Sequence, residues 1–559
     1  MASDSATRSG GLLPTKRVAR CSSTGGSIGI GLQATPFKRY SEQQALAPVL
    51  DLFEATRNVL DRTCPYPSSG TMALYLEPWH AGIQLFIRKC RMHTRSEDGP
   101  PRPDYGLMIN DLFMKKVESN SSWTTFCPSD ASRLTVSYGP QFEREYLRLE
   151  RSGVGKYTVR ARDLWNEIMD AQIKTGRPII IFKDASNRKS NHRHLGVLTQ
   201  SNSLGGMLQF ADQQETATYL SASVVLSTFV DTDGRFEFSE LDRTVRNTVV
   251  SLNHVLAQSY YPDNSAKASA YRHRAITVAV QGLADALVMM GLPYESDEAQ
   301  TLNAAIAETV YHSATDESCN LIRFHGSHPN FERSPAASGW LQIDYWDNPR
   351  ISGRYDFNLL REKVTKGICN SLVTGYAPSN SSIELASCSE GCEPLSYLLS
   401  TQKTGSNDRF LVSKHLVKTL ENIGIWSEDM LNQIACNEGS LQRIDGIPDK
   451  VREIYKTAWE ISPNRLVRLA IDRGPFICQS QSLNMYMNVP SISKLSTLIF
   501  DAWKAGLKTG LCSLRSRIVS LKVAGKKVRE VKKFDQEDVE LDGTGSTNDP
   551  YIIRNIIVT

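Results

Sequence analysis

Pro178-Ile179-Ile180-Ile181-Phe182 is a short, unbroken apolar run between polar segments. A strand apolar on both faces must be covered on both sides, which is the usual condition of a parallel sheet layered with helices. Met72-Ala73-Leu74-Tyr75-Leu76 has the same character, and Val224-Val225-Leu226 is a third candidate. Longer stretches with helical periodicity lie between these runs. In residues 40–63, Leu46, Val49, Leu50, Phe53, Val59 and Leu60 fall near one helical face. Residues 141–176 carry Arg/Glu pairs on the exposed face of a helical pattern. Residues 235–258 and 296–316 also read as helical, and 410–470 as several helices separated by Gly and Pro. The stretch from Ile276 to Met290 is largely apolar, with Gly282 inside it. Short buried strands alternating with longer helices predict an α/β fold with largely parallel strands.

Hydrophobic residues make up 40% of the 559 and charged residues 22%, which excludes wholesale disorder. The net charge of +4 gives no electrostatic case for a nucleic-acid or membrane partner. No run of about 18 apolar residues occurs, so no membrane span is expected. The N-terminus, MASDSATRSGGLLPTKR, lacks the apolar stretch of a secretory signal. The eleven Cys show neither CxxC pairs nor metal-ligand spacing. They predict structural thiols, no metal, no cofactor and a reducing, cytoplasmic location.

Three regions are expected: a loose arm over 1–18, one large domain over 19–515, and a charged, flexible tail over 516–559. In the tail a basic block of Lys522, Lys526, Lys527, Arg529, Lys532 and Lys533 precedes an acidic one of Asp535, Glu537, Asp538, Glu540 and Asp542. A Gly-rich turn spans 23–29, Cys64 to Gly70 breaks the preceding helix, and 94–104 reads as a surface loop.

Several segments carry a more specific signal. They are Tyr75-Leu76-Glu77-Pro78-Trp79-His80, Asp111-Leu112-Phe113-Met114-Lys115-Lys116-Val117-Glu118, Lys183-Asp184-Ala185-Ser186-Asn187-Arg188 and Arg272-His273-Arg274. Val280-Gln281-Gly282-Leu283-Ala284-Asp285, Asp472-Arg473-Gly474-Pro475-Phe476, Gln479-Ser480-Gln481-Ser482-Leu483-Asn484 and Gly506-Leu507-Lys508-Thr509-Gly510 follow. In this order and spacing, over roughly residues 20–515, the chain resembles the large subunit of class I ribonucleotide reductases. The resemblance implies a ten-stranded α/β barrel made of two five-stranded parallel halves set antiparallel. It also implies that the N-terminal regulatory cone of many family members is lacking.

The resemblance further implies a radical reaction that removes a 2′-hydroxyl. The reaction needs a thiyl Cys, a nearby carboxylate as general base, a redox Cys pair, a Tyr pair carrying the radical in, and a C-terminal dithiol. The family's Asn-x-Cys-x-Glu stretch matches Asn202-Ser203-Leu204-Gly205-Gly206. Asn202 is retained, Leu204 stands at the thiyl position and Gly206 at the base. Tyr219 stands at the second redox Cys, and residues 128–318 contain no Cys. Cys512 and Ser513 occupy the Tyr-pair positions. The phosphate loop matches Pro378-Ser379-Asn380-Ser381-Ser382, where Ser381 and Ser382 keep hydroxyls for a vestigial substrate site. Glu393-Pro394, close by, reads as structural.

These departures predict that the chain is not an enzyme but a pseudoenzyme, similar to the degenerate large subunits of betaherpesviruses. On that reading it is a viral early or virion protein of the host cytoplasm. It would act as a scaffold for host proteins of innate or cell-death signalling. The resemblance leaves a homodimer open, through helices of the barrel domain. Two alternatives stand beside it: a divergent ribonucleoside-diphosphate reductase subunit in deoxyribonucleotide synthesis, and a nucleotide-binding regulatory module.

Overall fold

The computed structural model describes residues 2–5, 26–35, 42–63, 70–92, 102–212, 214–261, 263–377, 387–404 and 407–517. Apart from two antiparallel pairs, Ser122–Thr125 with Tyr157–Arg160 and Leu399–Thr404 with Asn407–Val412, its strands fall into two largely parallel sets. In the first, Ala2–Ser5, Ile28–Gly31, Met72–Leu76, Asp104–Ile109 and Ile179–Phe182 pair side by side and all parallel. In the second, Leu220–Val225 pairs parallel with Ile276–Gln281. Parallel bridges continue from Val278 to Thr374 and from Tyr376 to Gln481. Asn484–Met487 then pairs parallel with Ser513–Ser516.

Two segments join the sets, each by serving two ladders in opposite senses. Thr509–Leu511 lies antiparallel to Ile179–Phe182, and the same chain continues into Ser513–Ser516 of the second set. Ala217–Thr218 lies antiparallel to Ala2–Ser5 and continues into Leu220–Val225. Followed strand by strand, the pairings run through ten segments and return to their start.

The apolar runs explain where the core sits. Along the first set, alternate side chains point to opposite faces. Met72, Leu74, Leu76, Leu107, Ile109, Ile180 and Phe182 pack outward into a core shared with the helices Ile83–Arg91 and Ala161–Thr175. Ala73, Tyr75, Met108, Ile179 and Ile181 face the other way and meet Leu198, Leu208 and the half-buried Phe210. The 198–210 loop is therefore what the inner face of this half packs against. The second half has its own core, centred on the 24-residue helix Asp297–Asn320 and the helix Phe238–Gln258.

One buried ion pair ties the first half together. Lys183 Nζ lies 2.8 Å from Glu77 Oε1, both side chains are fully buried, and the ammonium also donates to the carbonyl of Leu134 at 3.0 Å.

The α/β class agrees with the sequence reading; several elements differ. Residues 141–176 are not one helix but two, Gly139–Arg151 and Ala161–Thr175, with the strand Tyr157–Arg160 between them. The break follows Gly153, at φ +73°. The 276–290 stretch is a strand and then the helix Leu283–Met289, turned at Gly282 with φ +75°. The 410–470 region begins with a strand, Asn407–Val412, before its helices. Ile28 and Gly29, read as part of a turn, lie in a strand. Ala2–Ser5, read as part of a loose arm, also form one. Most of the 94–104 loop, the Cys64–Ser69 break and the tail beyond 517 lie outside the described residues. Among the described residues, no helix is long and apolar enough to cross a membrane.

Candidate functional site

The loop against the inner face of the first half is organised by Asn202. Its Oδ1 accepts from the backbone N–H of Gly206 at 3.1 Å and of Met207 at 3.3 Å, while Nδ2 donates to the Tyr219 hydroxyl at 3.3 Å. Its backbone carbonyl accepts from the Tyr75 hydroxyl at 2.5 Å. The buried side chain thus closes the tip of the loop and reaches Tyr219, while the backbone carbonyl ties it to Tyr75 of the first strand set.

The tip is held from outside as well. Ser482 Oγ donates to the carbonyl of Leu204 at 2.6 Å, and Thr509 Oγ1 to that of Gly205 at 2.7 Å. The Ser480 N–H donates to the Gly206 carbonyl at 3.1 Å, and its hydroxyl meets that of Thr509 at 2.6 Å. The approach requires small residues. A Cβ on Gly206 would lie 2.8 Å from Ala377 Cβ and 2.9 Å from the Tyr376 carbonyl. On the far side of the loop, a Cβ on Gly29 would fall 1.6 Å from the Ser201 carbonyl.

Beside this tip, and sharing Tyr376, Ala377 and Ser482 with its wall, is a cavity of about 30 Å³ that also meets Cys392, Glu393 and Arg473. Glu393 accepts from Asn484 Nδ2 at one oxygen and from the Tyr486 hydroxyl at the other. Burial, and then the neighbouring Glu390, push its carboxyl up to about 7. Glu390 is itself 3.1 Å from Arg515, which donates to the Tyr486 hydroxyl at 3.1 Å. A carboxyl that titrates near neutrality exchanges protons readily at that pH.

The structure brings Asn202, Leu204, Gly206 and Tyr219 together at the loop tip. Burial raises the Tyr219 hydroxyl above its ordinary range. Cys512 and Ser513 lie on the segment that joins the two strand sets. The Cys512 N–H donates to the Leu483 carbonyl at 2.7 Å, and its own carbonyl accepts from Arg177 at 2.9 Å. Burial pushes the Cys512 thiol up to about 11 against the opposing charge of Arg177, so it is a protonated, buried thiol at neutral pH. Ser381 and Ser382 lie outside the described residues. Among the described residues, no three His, Cys, Asp or Glu side chains are grouped to hold a metal ion.

Sequence reasoning undervalued the polar run 479–484 and Arg473. It quoted both segments without giving any residue in them a role. The signal was present: Gln479, Ser480, Gln481, Ser482 and Asn484 interrupt an otherwise apolar region, and four of the five are buried. Buried polar side chains need partners, and these find theirs at the loop tip and the cavity wall. Glu393, read as structural, is the carboxyl of that wall.

Residues 13–513 match the family model for the ribonucleotide reductase barrel domain. The chain is 37% identical over 511 residues to the ribonucleoside-diphosphate reductase large subunit of Plasmodium falciparum, covering 90% of this chain and 63% of that protein. The large subunit from Danio rerio gives 37% over 511 residues, covering 90% of this chain and 64% of the relative. Large chain 2 from Saccharomyces cerevisiae gives 38% over 481 residues, covering 85% and 55%. The chain thus spans under two thirds of the length of these relatives. They correct the expectation that it is not an enzyme: proteins similar to it over most of its length are named as reductase large subunits, and no geometry at the site shows inactivity.

Proposed function

This chain belongs to the ribonucleotide reductase barrel-domain family, and from that premise we propose that it is a divergent ribonucleoside-diphosphate reductase large subunit serving deoxyribonucleotide synthesis. The observation that carries the reading is the combination of 37% identity over 511 residues with a loop tip still built around Asn202. In this reading the nucleoside diphosphate binds beside the loop tip, near the carboxyl of Glu393. Asn202 keeps the tip in place, Ser482 and Thr509 brace it from the opposite strands, and Glu393 exchanges a proton near neutral pH. Leu204 has no S–H and Gly206 no carboxylate. The thiol chemistry therefore draws on groups beyond these two positions, in an assembly completed by a small subunit and further thiols.

The test is reconstitution. The chain is combined with a family small subunit and a dithiol reductant, with and without an intact large subunit, and deoxynucleotide formation from ribonucleoside diphosphates is followed. Product that rises when this chain is added supports the reading. Product no higher than in the assembly lacking the chain, together with no nucleoside diphosphate binding by calorimetry, overturns it.

A further inference from the structure

Four of the ten histidines, His192, His194, His273 and His328, gather at the base of the 198–210 loop, close enough for their charges to act on one another. His192, His273 and His328 are buried, and the rings of His192 and His273 lie 4.8 Å apart. His192 is held in one neutral form. Its Nδ1 accepts from the Phe210 N–H at 3.3 Å, so the ring proton sits on Nε2, which donates to the Ser371 hydroxyl at 2.8 Å. A ring nitrogen accepts only while it carries no proton. The bond to Phe210 therefore exists only while His192 is uncharged. Phe210 is the anchor of this end of the loop. It packs on the cluster of Leu198 and Leu208, and a Cβ on Gly196 would fall 2.4 Å from its ring.

The surrounding groups offer a charged His192 no counter-ion. Glu215 is engaged at both oxygens, by His273 Nε2 at one and by Arg272 at 2.6 Å at the other. Against its burial, His273 and Arg272 hold that carboxyl below its ordinary range. Asp212, on the same segment, accepts from the N–H groups of Gln214 and Glu215, each at 2.8 Å. Arg193, next to His192 in the chain, lies over the rings of Trp340 and Tyr345, and Arg274 donates to Asn253 at 2.8 Å. What acts on His192 is three further imidazoles. Burial, and then those neighbours, push His192 well below its ordinary range and His328 down to about 3; burial lowers His194 as well.

We propose that His192 is an acid-released latch: uncharged, it fastens the 198–210 loop through the Phe210 N–H, and its protonation frees that loop from the inner face of the first strand set. The proton is taken up in the opened form, where the imidazole regains water. An imidazole lowered in the closed form binds fewer protons there than in the open one. The closed form is therefore fully stable above about pH 6.5 and loses stability as pH falls below it. For one imidazole that charges only in the open form, moving from pH 7 to pH 5 raises the open population about 20-fold. The latch is independent of the proposed function, since it rests on the cluster and the loop alone.

The experiment is amide hydrogen exchange of the full chain at pH 5 and pH 7, read by mass spectrometry and corrected for the intrinsic pH dependence of exchange. Peptides covering 198–210 are expected to lose protection about 20-fold at pH 5, and the helix Ala161–Thr175 to lose far less. His192→Gln keeps an acceptor for the Phe210 N–H and cannot charge. Its 198–210 peptides are expected to hold their protection within about twofold between the two pH values, with a thermal melt at pH 7 checking the fold. A wild-type loop that keeps its protection at pH 5 overturns the latch, and so does a folded His192→Gln chain that loses it as fully as wild type. If His192→Gln does not fold, exchange at the imidazole C2–H of the wild type decides. His192 gaining its proton in step with the loss of loop protection supports the latch; a loop that opens while His192 stays neutral overturns it.

Discussion

Asn202 accepts two backbone N–H groups that have no other acceptor at the loop tip. Asn202→Ala leaves both without a side-chain partner and is expected to cost about 1–3 kcal/mol. Urea unfolding gives the magnitude, and faster hydrogen exchange at Gly206 and Met207 localises it. The neighbouring Gly206 answers a different question. Gly206→Glu would set a carboxylate at the position the family resemblance assigns to a base, but the added Cβ meets Ala377 and the Tyr376 carbonyl within 3 Å. It is expected to destabilise the chain by about 1–3 kcal/mol, and Ala377→Gly in the same chain should recover part of that loss. Both variants are read by thermal unfolding. Glu393 carries a pH signature. Its carboxyl is raised in the folded chain from 4.5 to about 7, so the folded state holds the proton more tightly than the unfolded one. Its contribution to stability is present below about pH 4.5 and is lost as pH rises through about 7. A stability profile over pH 4–8 should therefore lose part of its slope in Glu393→Gln. These three residues also show how far the sequence reaches. Asn202 was legible as a retained motif residue. The tightness around Gly206 was not, because it depends on Ala377, 171 positions away in the chain.

At the scale of elements, the long apolar runs were the most legible features. Ile179–Phe182 and Met72–Leu76 are buried on both faces, as expected of short apolar runs in a parallel sheet layered with helices. Two stretches divide for one reason. Residues 141–176 read as helical and 276–290 only as largely apolar. Gly153 and Gly282 adopt left-handed backbone there and split each stretch into unlike parts. The helix Asp297–Asn320 was legible for the opposite reason: Ser296 caps it, accepting from the Ala299 N–H at 3.0 Å, and two acidic residues follow. Ser296→Ala is expected to cost about 1 kcal/mol by chemical denaturation. Because the helix runs through the core of the second half, the loss should appear as a shift of the whole transition and not as fraying at one end.

For the whole molecule, the sequence indicated layered strands and helices but not how the two halves join. That depends on two segments, 217–225 and 509–516, each pairing in one sense with one half and in the other sense with the other. Periodicity reports which residues are buried, not which neighbour a strand finds. The buried pair of Lys183 and Glu77 belongs to this scale too, since it links the ends of the first strand set to the short helix Ser132–Thr135. Lys183→Met strands a carboxylate in the core and should cost about 3–5 kcal/mol, measured by the urea midpoint.

The circuit of pairings has one further consequence. An open sheet presents unpaired backbone groups along its outermost strands, and these can recruit the strands of another molecule. Here each of the ten segments has a partner on both sides. Among the described residues this circuit therefore leaves no lateral template for a second chain, and the open strand edges of the molecule are confined to its two separate antiparallel pairs.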